Sequence, residues 1–232
     1  MRPVKKWLPS FQYQDEQGNI QTIRAIYNPY GDAAEPLEKN IGLYCSYCEV
    51  FSSDLQVEHV IPYQQIEDKF SNTGSLSKYH WNNFLLGCAR CNGKSCKTDK
   101  YVYLPQILLP HRNDTYHALV YRESGEVFVN STLSASNQNK AQALIDLVKL
   151  NRDIGEKSRD YRTRLRRNAW TLATKQRGNY EKNPSPEMLN NLVELARQRG
   201  FFSIWHTVFQ DHPKVQAALR AGFAGTHEVY FQ

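Results

Sequence analysis

The chain lacks any apolar run approaching the roughly 18 to 20 residues that a membrane-spanning helix needs. Its first residues, Met1-Arg2-Pro3-Val4-Lys5-Lys6-Trp7-Leu8-Pro9, put no apolar stretch behind their charges, so neither a membrane protein nor a secreted one is expected. Internal repeats and low-complexity tracts are missing as well. With 41% hydrophobic and 22% charged residues over 232 positions, a disordered chain or a collagen-like repeat is excluded, and one globular domain or two small ones is expected. An even set of cysteines is also absent. There are five, an odd number for a disulfide framework, and reduced thiols in a cytoplasmic setting follow.

Residues 1–40 contain Pro3, Pro9, Pro29 and Pro36 among scattered aromatics, and read as an irregular arm with one short strand around Ile20 to Tyr27. A second unit covers residues 41–135. In it a strand-like run from Leu55 to Ile61 precedes a loop from Gln64 to Lys78, and Tyr116–Tyr121 and Glu126–Val129 flank a turn as a β-hairpin does. From 136 to 232 the apolar positions Leu144, Leu147, Val148, Ile154, Tyr161, Leu165, Ala169 and Leu172 recur at helical spacing, with a break expected near Leu150-Asn151 or Gly155. Ser185 and Pro186 start a further helix that Gly200 stops, and a last one runs from Pro213 to Gly222.

Four of the cysteines form two Cys-x-x-Cys pairs, Cys45/Cys48 and Cys88/Cys91. Two such pairs supply four soft thiolates in the turns that close a tetrahedral zinc site, and a closed four-thiolate site is structural rather than catalytic. A redox or iron–sulfur use is the alternative. Cys96 is left over as a buried bystander. Between and beside the pairs stand Glu58, His59, Asn83 and Asn92: a carboxylate, an imidazole that takes a proton near neutral pH, an amide able to orient a loop, and a second oxygen donor.

In these residues the chain resembles the HNH nuclease family. The Cys-x-x-Cys, Glu-His-x-x-Pro, Asn-x-Leu and Cys-x-x-Cys-Asn elements occur in family order as Cys45–Cys48, Glu58–Pro62, Asn83–Leu85 and Cys88–Asn92. Within that family the wording Tyr44-Cys45-Ser46-Tyr47-Cys48-Glu49, Val57-Glu58-His59 and Trp81-Asn82-Asn83-Phe84 is most similar to the Septu-type (PtuB-like) nuclease subunit of bacterial anti-phage systems, some of them retron-associated. The resemblance implies an α+β fold: a zinc-stabilised ββα-metal HNH domain, a β-hairpin and a C-terminal helical region. It implies a metal-dependent endonuclease, on DNA more than RNA, acting with a PtuA-like ATPase subunit that would dock on the helical region. His59 would be the general base. Asn83 would pin the backbone presenting it, Glu58 and Asn92 would hold magnesium or manganese, and Cys45, Cys48, Cys88 and Cys91 would hold structural zinc. The products would carry a 5′ phosphate and a 3′ hydroxyl.

Basic residues are the last signal. Eight lie between Lys157 and Arg177 against the single acid Asp160, which suits either a solvated helix face or a surface for phosphates or an acidic partner. Lys94, Lys97, Arg162, Arg166 and Arg167 are the candidate nucleic-acid or partner contacts. Tyr161 and Trp170 among them would stack on bases or pack in the core. His80, His111 and His206 read as packing or capping residues. A catalytically silent, zinc-stabilised nucleic-acid-binding or adaptor module is the competing reading.

Overall fold

The structure is a computed structural model that describes residues 1–67, 78–94, 96–97, 100–152 and 160–232. Among the described residues the strands form three separate antiparallel pairs and helices make up most of the second half, a mixed α+β arrangement. Among the described residues no helix is long and apolar enough to cross a membrane.

The first forty residues hold more structure than their prolines suggest. Strands β1 (Gln12–Gln14) and β2 (Ile20–Thr22) pair around a turn whose Asp15 carboxylate accepts from the backbone of Gln17 and Asn19. Helix α1 (Ala34–Ile41) buries Leu37 and Ile41. The expected irregular arm is in fact tied into the core, because Arg2 is buried and donates to the carbonyls of Ile41 and Ala224. Composition could not show those long-range partners.

Strand β3 (Gln56–His59) pairs antiparallel with β4 (Phe84–Gly87), setting Glu58 opposite Leu85 and His59 opposite Phe84. Between them lies the short helix α2 (Tyr63–Glu67), where loop was expected; the rest of that loop up to residue 77 is outside the described residues. After β4, residues 88–94 run as turns, so the helix of a ββα unit is not formed among the described residues there. The local reason is the knuckle itself. Asn92 N–H bonds the Cys88 carbonyl at 2.9 Å, and the chain bends so that Cys88 and Cys91 face the other pair.

Helix α3 (Thr115–Ala118), capped by Asp114, takes the start of the expected hairpin, leaving β5 (Leu119–Tyr121) and β6 (Val127–Val129) as its strands. Helix α4 (Ala135–Val148) ends at left-handed Lys149, one residue before the expected break; Ile154 and Gly155 fall outside the described residues. Asn151 then clasps the hairpin, its side chain bonding both the N–H and the carbonyl of Val127. Helix α5 (Arg162–Lys182) follows, then α6 (Pro186–Arg199), capped by Ser185 and stopped at Gly200. Gly200 has φ of 73° and sits so close to residues 49–51 that a Cβ would meet the Glu49 carbonyl at 2.6 Å. Only glycine fits. Helices α7 (Phe202–Val208) and α8 (Pro213–Gly222) complete the helical half.

Candidate active site and metal centre

The four sulfurs of Cys45, Cys48, Cys88 and Cys91 are buried and lie within 4.8 Å of one another, with Cys48 and Cys88 3.7 Å apart. Zinc–thiolate bonds of about 2.3 Å put tetrahedral sulfurs about 3.8 Å apart, so the cluster fits zinc. Crowding raises the Cys48 and Cys91 thiols well above the ordinary range, each most strongly through Cys45, while bonds from the neighbouring sulfurs, Cys45 first, hold Cys88 down. A bound divalent cation would let all four ionise.

His59 closes β3. Its Nε2 lies 2.8 Å from the Lys78 carbonyl oxygen, which can only accept, so Nε2 carries the proton and Nδ1 carries the lone pair. The Tyr30 and Phe84 rings hold the imidazole edge-on at 4.7 and 5.2 Å. Burial lowers the His59 pKa below its ordinary value, against the opposing pull of the Lys78 carbonyl, and the ring stays neutral at physiological pH.

Asn83, in the turn before β4, is fully buried. Its Oδ1 accepts from Ile61 N–H at 2.8 Å, its Nδ2 donates to the Ile61 carbonyl at 3.1 Å, and its own carbonyl accepts from Val60 N–H at 2.8 Å. The backbone just past His59 is thereby clamped on three sides. Lys6 Nζ donates to the carbonyls of Trp81 and Phe84, bracketing the turn that carries Asn83. Burial pushes that amine well below its ordinary pKa.

Glu58, one residue earlier, faces the other way and is 1% exposed. Tyr47 Oη donates to its Oε2 at 2.7 Å, and the Lys97 ammonium pairs with Oε1. Lys97 Nζ also donates to the His59 carbonyl at 2.5 Å. Oε2 of Glu58 thus accepts a hydrogen bond, while Oε1 is buried against the Lys97 ammonium as an ion pair with no further hydrogen-bond partner among the described residues. Asn92 lies across Gly87 from Glu58, since a Cβ at Gly87 would approach the Cβ atoms of Glu58 at 3.2 Å and of Asn92 at 3.4 Å, but its Nδ2 is turned to Gln56 Oε1. This pair does not fit a magnesium or manganese ion, because a hard cation would have to displace an ammonium already seated on the carboxylate.

The basic candidates divide. Lys97, Arg162 and Arg166 are at most 3% exposed, which corrects their expected role as surface contacts. Arg166 donates to the carbonyls of Gly125 and Leu150, both at 2.6 Å, and Arg162 donates to Val148, Lys149, Asp160 and Cys91. Lys94 and Arg167 are exposed; Lys157 and Arg159 lie outside the described residues. Helix α5 is accordingly rotated from its expected face: Tyr161 and Leu165 are exposed, while the inward side runs Arg162, Arg166, Ala169, Ala173. Ala169 and Ala173 at helical spacing were the available signal, whereas arginines in line with them read as surface residues until their partners are known.

Tyr47 and Lys6 were not singled out from sequence, and only Tyr47, inside a Cys-x-x-Cys pair, had a positional clue. His80 caps the turn at residues 81–83 by accepting from Asn82 N–H. Burial holds His111 well below its usual pKa, and His206 is packed among Phe202, Tyr116 and Phe231. Cys96 is buried outside the four-sulfur cluster. No protein-family profile matches the chain, and no curated protein matches it in sequence.

Proposed function

We propose that the protein is an HNH-type endonuclease that hydrolyses phosphodiester bonds, DNA in preference to RNA, with His59 as the general base. The observation that carries this reading is the Asn83 clamp on Ile61 together with the His59–Lys78 bond. Together they hold an imidazole at a strand end with its proton on Nε2 and its basic nitrogen, Nδ1, left to act. In the proposed step Nδ1 takes a proton from water, the resulting hydroxide attacks phosphorus, and the 3′ oxygen leaves and is protonated from solvent. The products are a 5′ phosphate and a 3′ hydroxyl. Glu58 contributes by holding Lys97, and with it the His59 carbonyl, in place.

The four-cysteine zinc site supports this arrangement from both sides, because Tyr47 belongs to the first pair and Lys97 follows the second. On the HNH resemblance, the nuclease is the effector of an anti-phage complex whose ATPase subunit docks on residues 136–232, where Arg164, Arg167 and Lys175 are exposed. A second reading, a zinc-stabilised nucleic-acid-binding or adaptor module without catalysis, is favoured by one observation: the Glu58 carboxylate is neutralised by Lys97 rather than left for a cation.

The two readings part in a cleavage assay on plasmid, phage DNA and cellular RNA with magnesium or manganese, with the ATPase present and absent. Nuclease action predicts cutting by the wild type and at least about 100-fold slower cutting by His59→Ala. A binding module predicts retained nucleic-acid binding with every substrate intact.

A further inference from the structure

Arg162 opens α5 and is 3% exposed, deep beside the four-cysteine cluster. Its guanidinium has five N–H donors. Each has a partner: Nε donates to Asp160 Oδ1 at 3.0 Å, one terminal nitrogen donates to Cys91 Sγ at 3.1 Å and the Val148 carbonyl at 2.9 Å, and the other donates to the Lys149 carbonyl at 2.9 Å and Asp160 Oδ2 at 2.7 Å. The carbonyl of Val148 is the last of α4 and that of Lys149 belongs to its left-handed cap, both at the negative end of the helix dipole. One side chain therefore joins a metal-binding sulfur, the end of α4 and the start of α5.

A zinc ion held by four thiolates carries a formal charge of −2, and in a buried site that charge needs donors. An N–H donor at 3.1 Å from one sulfur removes charge from it and slows its protonation and departure. Asp160 balances the guanidinium on its far side without touching the sulfur, which leaves the donor aimed at Cys91.

We propose that Arg162 is a working part of the metal centre: its hydrogen bond to the Cys91 thiolate retains zinc and couples zinc retention to the seating of α5 against the end of α4. The inference rests on the four thiols holding zinc and is independent of nuclease activity. Groups that donate to metal ligands typically change metal affinity by about 10- to 100-fold when removed.

The test compares full-length wild type with Arg162→Met, Arg162→Lys and Arg166→Met, measuring zinc transfer to a chromogenic chelator well below each protein's unfolding temperature. The same four proteins are loaded with cobalt(II) and their thiolate-to-cobalt charge-transfer band recorded. Arg166 is buried on the same face of α5 and bonds only oxygens, so its loss reports general loosening. Arg162→Met is expected to release zinc at least about tenfold faster than Arg166→Met and to move the charge-transfer band to lower energy, with the Arg166→Met band unmoved. If Arg162→Met does not fold, Arg162→Lys carries the test with the same directions of change. Equal zinc release from the Arg162 and Arg166 variants, or an unshifted band, overturns the proposal. A wild type that carries no zinc also overturns it, by removing its premise.

Discussion

Tyr47 Oη donates to Glu58 Oε2 at 2.7 Å, joining the first Cys-x-x-Cys turn to the strand that carries His59. Lys97 reaches the same carboxylate from beyond the second turn. Glu58 is thus the point where the two halves of the four-cysteine unit meet the candidate catalytic strand.

A buried ion pair of this kind behaves differently from a cation seat. Removing either partner strands the other charge and costs about 3–5 kcal/mol, whereas removing both costs less than the sum. Glu58→Gln and Lys97→Met should each lower stability by that order in urea unfolding, and the double variant should recover part of the loss. Tyr47→Phe, which deletes one bond to a charged acceptor, should cost roughly 1.5–3 kcal/mol. Additive losses would show that the pair does not interact.

Asn83→Ala deletes two side-chain bonds and leaves the N–H and carbonyl of Ile61 unsatisfied in the core. A loss of roughly 2–6 kcal/mol is expected, because each of the two stranded buried groups costs about 1–3 kcal/mol. Under conditions where the variant is still folded, cleavage that depends on His59 should also fall, since the strand end is no longer held. Unchanged stability would mean that the clamp on Ile61 does not form.

Elemental analysis of the purified protein should find about one zinc per chain. Cys88→Ser should lose it and increase proteolysis within residues 45–50 and 88–94, the two turns that carry the four cysteines. A protein equally protease-resistant with and without zinc would contradict a structural role for the metal.

Stability should depend on pH through His206. Burial, with Arg220 and then His117 adding to it, holds its pKa at about 3, below the ordinary 6.5. Arg220 donates toward Nε2, and Nδ1 faces Tyr116 Oη at 2.9 Å, so the ring is held neutral. The unfolded chain takes up a proton below about 6.5 and the folded one does not until about 3. The stability that His206 contributes is therefore full above 6.5 and is lost as pH falls toward 3, at about 1.4 kcal/mol per pH unit. Chemical denaturation from pH 7 to pH 4 should show His206→Gln losing less stability on acidification than wild type, and parallel curves would rule the linkage out.

Signals carried by neighbouring residues were readable from sequence, and signals carried by distant ones were not. Ser185, Pro186 and Gly200 announce both ends of α6, and the Cys-x-x-Cys spacing announces the sulfur cluster, because each works within a turn. The pattern of charge on α5 misled, since Arg162 and Arg166 look like surface residues until Cys91, Gly125 and Leu150 are brought beside them. Lys97 is the same case. Its partner Glu58 lies on β3, and a lysine after a Cys-x-x-Cys-Asn run reads as a phosphate contact until the fold buries it. The clamping role of Asn83 came only through the HNH resemblance, because its partner Ile61, whose N–H and carbonyl its side chain bonds, lies 22 residues away in sequence.

The central claim is tested most directly by single-turnover cleavage of end-labelled DNA by the wild type and His59→Ala, with magnesium or manganese and with the ATPase subunit present and absent. The account predicts products with 5′ phosphate and 3′ hydroxyl ends from the wild type, and a rate at least about 100-fold lower for His59→Ala, in keeping with loss of a general base. Equal rates for the two proteins, or no cleavage under any of these conditions, would contradict it.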